Sequence, residues 1–238
     1  ILEAMHIPII EKKGFEADDL IGTLSKQAEK AGYQTFMVTP DKDFAQLVSE
    51  NIFMYKPARM GNGIEIWGIP EVQKKFEVER PEQVIDFLGM MGDAVDNIPG
   101  LPGVGEKTAK KFLKQYGSME NLLAHTHELK GKMKEKVEAN KELGLLSKEL
   151  ATIILDCPVE FHEKDFELNH PDFEKTNEIF KELEFRRIAE SLNKIFKIPV
   201  TETTKNTDNK VTSTTTKSPQ TANQQFDLFA TPAAIHTK

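Results

Sequence analysis

Cysteine is almost absent from the chain, whose 238 residues include only Cys157. A single cysteine excludes an internal disulfide and a zinc site built from cysteines, and we expect Cys157 to be a small buried apolar residue. Long apolar runs are also missing, since none approaches the roughly 18 residues that a membrane span needs. The start of the chain lacks the pattern of a secretion signal. These absences favour a reducing, intracellular location away from membranes.

The chain has no excess of positive charge, with 31 Lys and Arg against 38 Asp and Glu and a net charge of −7. This balance excludes a polycation, so any contact with nucleic acid must come from a local basic patch. One stretch has the required composition, because ten lysines stand against seven glutamates between Gly100 and Leu150.

Two hydrophobic patterns alternate in the first part of the chain. Apolar residues at spacings of three and four predict an amphipathic helix over Ala17–Ala31 that ends at Gly32. We predict strands at His6–Ile10, Gln34–Thr39, Ile52–Tyr55 and Ala151–Leu155, and a short helix at Phe44–Val48. Strands and helices at such short spacing favour an α/β fold with a mostly parallel central sheet and flanking helices.

The composition changes along the second half. The stretch from Glu106 to Leu150 is mostly helical in pattern, and Pro171–Phe196 predicts one or two further amphipathic helices. Thr201–Gln225 has Val211 as its only large apolar residue, so we expect it to be disordered. The chain begins with Ile1, and its first residues read like the last turn of a helix, so we expect a fragment.

Acidic residues cluster at three places, each following an apolar element. Two clusters lie at the carboxyl end of a strand or at an adjoining helix start, where open α/β sheets place their ligand crevice. Each cluster alone also fits a helix-dipole, turn or loop role. Together the acids would repel strongly without cations, and hard divalent cations prefer several carboxylate oxygens. The candidate metal ligands are Glu16, Asp18, Asp19, Asp41, Asp43, Asp93 and Asp96.

Glycine and proline are concentrated between Ile98 and Ala109, in a string typical of the helix–hairpin–helix. Glycines let the main chain approach a phosphate closely, and the N–H groups of the following helix start can donate to it. The alternative is an ordinary loop beside a solvated lysine face. Because no aromatic ladder accompanies the string, we predict contact with phosphates rather than base reading. The candidate DNA-binding residues are Gly100, Gly103, Val104, Gly105, Lys107, Thr108, Lys110 and Lys111.

Three strings of the chain, GFEADDLIGTL, TPDKDFAQLV and FLGMMGDAVDNIPGLPGVGEKTA, resemble the 5′-nuclease domain of bacterial DNA polymerase I. That domain belongs to the flap endonuclease superfamily, and the resemblance runs from about Ile1 to Ile198. It implies the C-terminal part of a PIN-like nuclease core in residues 1–97, truncated at its N-terminus. A helical helix–hairpin–helix subdomain is then expected in residues 98–200 and a disordered linker in 201–238.

The resemblance also implies an activity and its requirements. It implies a 5′–3′ exonuclease or 5′-flap endonuclease that hydrolyses DNA or RNA-primer phosphodiesters in replication and repair. Two or more Mg²⁺ or Mn²⁺ ions would be held by the seven acids, and K⁺ would bind at the hairpin. The expected partners are nicked or branched duplex DNA with a 5′ end or flap, and polymerase domains after Lys238. The expected location is the bacterial cytoplasm, at the nucleoid. The acids with an implied catalytic role are Asp18, Asp19, Asp41, Asp43 and Asp93.

Two other functions stay open at this point. The family's first metal-binding strand and its arch would precede Ile1, so the chain could be a DNA-binding fragment without catalysis. A magnesium-dependent phosphatase on a similar sheet is the third hypothesis, but it leaves the hairpin at Gly103 unexplained.

Overall fold

The computed structural model describes residues 1–58 and 63–196 of the chain. The chain divides into two compact units, Ile1–Ala189 and Glu190–Lys238. Of the second unit only residues 190–196, which include the end of the last helix, are described. The predicted disordered segment from Thr201 therefore lies outside the described residues, and the domain boundaries at residues 97 and 200 stay predictions.

Helices account for about half of the described residues. Its α-helices are α1 (Ala17–Lys30), α2 (Ile69–Phe76), α3 (Gln83–Met91), α4 (Glu106–Tyr116), α5 (Met119–Ala124), α6 (Gly131–Ala139), α7 (Lys141–Leu150), α8 (Phe173–Glu182) and α9 (Arg186–Ile195). Short 3-10 helices cover Lys42–Leu47, Thr126–Glu128 and Glu163–Phe166. None of the described helices is long and apolar enough to cross a membrane.

The sheet has three strands in the order β1 (Thr35–Val38), β2 (Ile52–Lys56) and β3 (Glu65–Trp67). β1 and β2 are parallel, with Phe36 opposite Phe53, whereas β2 and β3 are antiparallel. The α/β fold class is confirmed, but the described sheet is mixed rather than mostly parallel. The reason is the connection from residue 57 to residue 64, which is too short for the crossover that parallel neighbours need.

The predicted strand at His6–Ile10 was wrong. The structure has no strand there, and Ile7, Ile9 and Ile10 are exposed. His6 has a positive φ of 52°, which is incompatible with extended backbone. A short apolar run predicts a strand only if another strand lies beside it, and this segment has no ladder partner among the described residues.

The segment Ala151–Leu155 is also not a strand, which corrects the second strand prediction. Side chains, rather than a neighbouring strand, pair with its main chain. Gln46 donates through Nε2 to the carbonyl of Ala151 at 2.9 Å and accepts the N–H of Ile153 at 3.0 Å. Thr23 donates through Oγ1 to the carbonyl of Ile154 at 3.3 Å. Polar groups of α1 and of the first 3-10 helix thus hold the segment in place.

Gly22 lets this segment lie directly against α1. A β-carbon at Gly22 would stand 2.8 Å from Cγ2 of Ile153 and 2.9 Å from Cδ2 of Leu155. Both distances are shorter than van der Waals contact. The missing side chain therefore sets the distance between α1 and the segment after α7.

One continuous core joins the sheet to the helices that follow it. Its members come from β1, β2, the first 3-10 helix, the helices α2 to α6 and the intervening hairpin. Because the same core supports the acidic loops and the hairpin, both are fixed relative to one another. The largest fully buried side chains are Leu47, Ile52, Met54, Leu88, Met90, Leu101, Met119, Leu122, Val48, Val72, Val84 and Val137.

Candidate metal centre and phosphate-binding hairpin

The seven predicted acids meet in one place. Six of them line a cavity of about 400 Å³, whose remaining wall is Ile98 and residues 150–153. The six are Glu16, Asp18, Asp19, Asp41, Asp43 and Asp96. The seventh acid, Asp93, has a carboxylate oxygen within 4.8 Å of oxygens of Asp43 and Asp96. The start of α1, the first 3-10 helix and the loop after α3 thus deliver their carboxylates to a shared space.

The first cluster combines a helix cap with the cavity wall. Asp19 is buried, and its Oδ2 accepts the N–H of Glu16 at 3.1 Å, as in a capping box. Its Oδ1 accepts the N–H of Ile154 at 2.9 Å. Asp19 therefore ties the start of α1 to the segment after α7, while Asp18 is half-buried at the cavity.

The second cluster begins the first 3-10 helix. Asp41 caps that helix, and its Oδ1 accepts the N–H of Asp43 at 3.1 Å. The side chain of Asp43 is 15% exposed. None of the described residues donates a hydrogen bond to its buried Oδ1. A buried carboxylate oxygen without a donor is costly, and a bound cation would satisfy it. The residues present thus fit a metal ion.

A lysine lies between the second and third clusters. The ammonium of Lys42 forms an ion pair with Oδ2 of Asp93 and lies 3.9 Å from Oδ1 of Asp43. The other oxygen of Asp93 accepts the N–H of Val95 at 2.8 Å. In the sequence Lys42 stands between Asp41 and Asp43, and nothing there indicates its pairing with Asp93, which lies far along the chain.

The pKa values of the acids reflect burial and crowding. Burial and the nearby charge of Asp41 raise the pKa of Asp18. Burial, followed by the charge of Asp41, raises the pKa of Asp43 to about 6, although Lys42 opposes this. The hydrogen bond from Lys42 lowers the pKa of Asp93. Positive charge placed among these groups favours their ionised forms, so the cluster is electrostatically suited to cations.

The loop that carries the third cluster is joined to the hairpin. Asp93 and Ile98 exchange two main-chain hydrogen bonds of 2.9 and 2.8 Å. Gly92 and Gly100 both have positive φ, 76° and 67°. A β-carbon at Gly100 would stand 2.5 Å from the main-chain nitrogen of Gly92, so both positions require glycine. The N–H of Gly100 donates to Oγ of Ser147 in α7 at 3.0 Å, which anchors the hairpin.

The hairpin leads into α4 with its main chain accessible. Gly105 is the N-cap of α4, and a β-carbon there would meet nothing within 4 Å. The N–H of Thr108 donates to the carbonyl of Gly105 at 3.0 Å. The two N–H groups before it, at the start of α4, have no acceptor within the helix, so they can donate to a phosphate oxygen. Val104 is buried in the core, so only its main chain is available for such a contact.

The predicted lysines of α4 differ in their surroundings. Lys107 and Lys111 are exposed. Lys110 instead pairs with Glu106 at 3.0 Å and with Glu77 at 3.3 Å, and its side chain is mostly buried. Lys110 therefore links α4 to the end of α2, whereas the other two lysines are accessible to a ligand.

Sequence reasoning missed Lys136 of α6. A β-carbon at Gly103 would lie 3.1 Å from its Nζ, so the ammonium rests directly over the hairpin. In the sequence Lys136 is one of several lysines on an ordinary charged helix. Only the packing of α6 beside the hairpin distinguishes it.

The fold is shared with a solved nuclease. A flap endonuclease of bacteriophage T5, solved in complex with DNA and metal ions, matches with a TM-score of 0.53 at 21% identity. The match covers 60% of this chain and 51% of the phage protein. At this identity the likeness shows the fold alone.

Curated relatives match at higher identity. A DNA polymerase I of Bacillus caldotenax is 42% identical over 193 residues, which cover 81% of this chain. A 5′-3′ exonuclease of Aquifex aeolicus is 38% identical over 197 residues, which cover 83% of this chain. The chain spans 22% of the length of the polymerase and 65% of the length of the exonuclease.

Family models match most of the described chain. Residues 1–77 match the model of the 5′-3′ exonuclease, N-terminal resolvase-like domain. Residues 79–174 match the model of the 5′-3′ exonuclease, C-terminal SAM fold. The resemblance found in the three sequence strings is thereby confirmed, and the chain belongs to the 5′-3′ exonuclease family.

Proposed function

We propose that the chain is the metal-dependent nuclease region of a DNA polymerase I-like protein and hydrolyses phosphodiesters near a 5′ end or 5′ flap. One observation carries the proposal. The carboxylates of three distant clusters converge on one cavity, and the loop of the third cluster is hydrogen-bonded to a glycine-lined hairpin. The candidate metal ligands and the candidate phosphate-binding hairpin are thus held by the same packed core.

The proposed ions are two or more Mg²⁺ or Mn²⁺. Asp43, with its unpaired buried oxygen, is the best placed ligand, together with Asp93 and Asp96. When bound, such ions activate water and stabilise the charge that develops on the phosphate. Asp18 and Asp41 complete the proposed catalytic set with Asp19, whose two hydrogen bonds fix the position of α1. Glu16 is proposed as a further ligand at the cavity wall.

The hairpin is proposed to hold the duplex by a phosphate. The open space at Gly105 and the first N–H groups of α4 favour close approach of a phosphate oxygen. Lys107, Lys111 and Lys136 supply positive charge around that position. Such contacts position DNA without reading its sequence. A K⁺ ion between hairpin carbonyls and the phosphate belongs to the same proposal.

The wider role is proposed from the polymerase relatives. RNA primers and damaged 5′ ends would be the substrates in replication and repair, and polymerase domains of the same protein would follow Lys238. The location would be the bacterial cytoplasm, at the nucleoid. Each of these statements extends beyond the part of the relatives that the chain covers.

A cleavage assay tests the proposal. A labelled 5′-flap substrate is incubated with Mg²⁺ and the chain, with Asp41→Asn, or with Asp165→Asn as a matched control on the exposed 3-10 helix Glu163–Phe166. We expect cleavage by the chain and by the control, and a loss of about 10²–10³-fold in Asp41→Asn. Equal cleavage by both variants would contradict the proposal.

A second function, DNA binding without catalysis, is favoured by the sheet edge. β1 lacks a second neighbour among the described residues, and Phe36 and Val38 on it are 44% and 67% exposed. If the sheet beside the acids does not support catalysis, the hairpin would still bind DNA. Salt-sensitive binding of the flap substrate with no cleavage in Mg²⁺ or Mn²⁺ would support this function over the first.

A further inference from the structure

Lys42 has a position that the proposed hydrolysis does not require. It stands in the chain directly between Asp41 and Asp43, and its ammonium reaches across to Asp93. The carboxylate of Asp93 is 8% exposed, whereas the side chain of Lys42 is 40% exposed. The lysine therefore enters the cluster from the solvent side, and its stem is free to withdraw along the same path.

We propose that Lys42 is a tethered cation that occupies the cluster of Asp43 and Asp93 when no divalent ion is bound and competes with that ion for the same oxygens. This inference rests on the proposed metal centre. The ammonium is a compact positive charge on a flexible stem, so it can substitute for a metal ion without any movement of the main chain. Divalent ions bind only after it leaves.

A comparison with Lys148 separates this role from that of a structural ion pair. Lys148 also bridges two carboxylates, Asp86 at 2.6 Å and Glu120 at 2.8 Å. Both sites include one main-chain donor, since Asp86 accepts the N–H of Met119 and Asp93 accepts the N–H of Val95, each at 2.8 Å. At Lys42 the nearest oxygen of Asp43 is 3.9 Å away and has no hydrogen-bond donor among the described residues. Lys42 therefore offsets the negative charge of the cluster but donates no hydrogen bond to this oxygen of Asp43. A divalent ion could contact the oxygen directly.

Lys42 also explains how seven acids can fold together. Without a cation the carboxylates repel one another, and a tethered ammonium offsets part of this repulsion before any ion arrives. The same charge then lowers the affinity for the ion, because like charges repel at short distance. Lys42 would thus set the concentration of divalent ion at which the centre fills.

Calorimetric titration of the full chain with Mn²⁺, without DNA, tests the inference by binding rather than activity. The variants are Lys42→Met, Lys42→Arg, which keeps the charge, and Lys148→Met as the matched control. We expect Lys42→Met to bind Mn²⁺ about tenfold more tightly than the unchanged chain, since one competing unit charge is removed at short distance. Lys42→Arg and Lys148→Met should keep the affinity of the unchanged chain within about twofold.

The unfolding temperature provides the second measurement. In EDTA, Lys42→Met and Lys148→Met should both unfold at a lower temperature than the unchanged chain. Addition of Mn²⁺ should then raise the unfolding temperature of Lys42→Met by more than that of the unchanged chain, whereas Lys148→Met should rise by the same amount as the unchanged chain. If Lys42→Met does not fold, Lys42→Gln replaces it in both measurements. Unchanged or weaker Mn²⁺ binding in Lys42→Met or Lys42→Gln, while the unchanged chain binds Mn²⁺, would overturn the inference alone. No Mn²⁺ binding by any of these proteins would overturn the proposed metal centre together with the inference.

Discussion

At the scale of residues, Asp43 carries the clearest electrostatic penalty. Burial raises its pKa to about 6, the charges of Asp41, Asp93 and Asp96 act in the same direction, and Lys42 opposes them. Its folded pKa is therefore above its unfolded value, so the folded chain holds the proton more tightly. The stability that this proton provides is lost as the pH rises from about 4 to about 6. Above that range the ionised Asp43 destabilises the metal-free chain.

The first prediction follows from the raised pKa of Asp43. In EDTA at pH 7.5 we expect Asp43→Asn to raise the free energy of unfolding by about 1–2 kcal/mol, after allowance for solvent screening. At pH 5 the gain should fall to about half, because Asp43 is then protonated in the folded chain but still mostly ionised in the unfolded chain. Urea unfolding at the two pH values measures both quantities. If Asp43→Asn is less stable than the unchanged chain at pH 7.5, ionised Asp43 does not destabilise the folded chain.

The second prediction concerns Lys136, whose ammonium lies over Gly103. We expect Lys136→Ala to weaken binding of duplex DNA. The slope of log K against the logarithm of the salt concentration should become shallower by the amount that corresponds to about one phosphate contact. Lys175→Ala, at an exposed position of α8, is the control and should leave both quantities unchanged. Fluorescence anisotropy at several salt concentrations provides the slope. An unaltered slope in Lys136→Ala would remove this residue from the DNA interface.

At the scale of elements, sequence patterns succeeded where the structure is local. The helix at α1, the strands β1 and β2 and the helix after Gly105 were predicted, because their apolar spacing, caps and glycines act over a few residues. The segment Ala151–Leu155 was predicted wrongly, since its main chain pairs with the side chains of Thr23 and Gln46. No periodicity in the segment itself reports partners so distant in the chain.

The third prediction contrasts two glycines at element boundaries. We expect Gly22→Ala to lower the free energy of unfolding by about 1–3 kcal/mol, because its methyl group would overlap Ile153 and Leu155. Gly105→Ala, facing open space, should change stability by less than about 1 kcal/mol while weakening DNA binding. Urea unfolding and DNA titration of both variants test the contrast. Similar losses of stability in both would refute it.

At the scale of the whole molecule, the candidate metal centre and the hairpin rest on one packed core. The two hydrogen bonds between Asp93 and Ile98 close the acidic loop, and the packing of Gly92 on Gly100 joins it to the hairpin. The sequence indicated the residues of both candidate sites because their residue types are distinctive. It could not predict that Lys42 enters the cluster or that Lys136 covers the hairpin, since both positions depend on packing between distant elements.

The most direct test of the metal centre is an anomalous diffraction map from crystals of the chain grown with Mn²⁺. We expect manganese peaks inside the acidic cavity, at about 2.0–2.3 Å from oxygens of Asp43 and Asp93, with the ammonium of Lys42 displaced. Peaks confined to other parts of the surface, with Lys42 still paired to Asp93 at saturating Mn²⁺, would contradict the account.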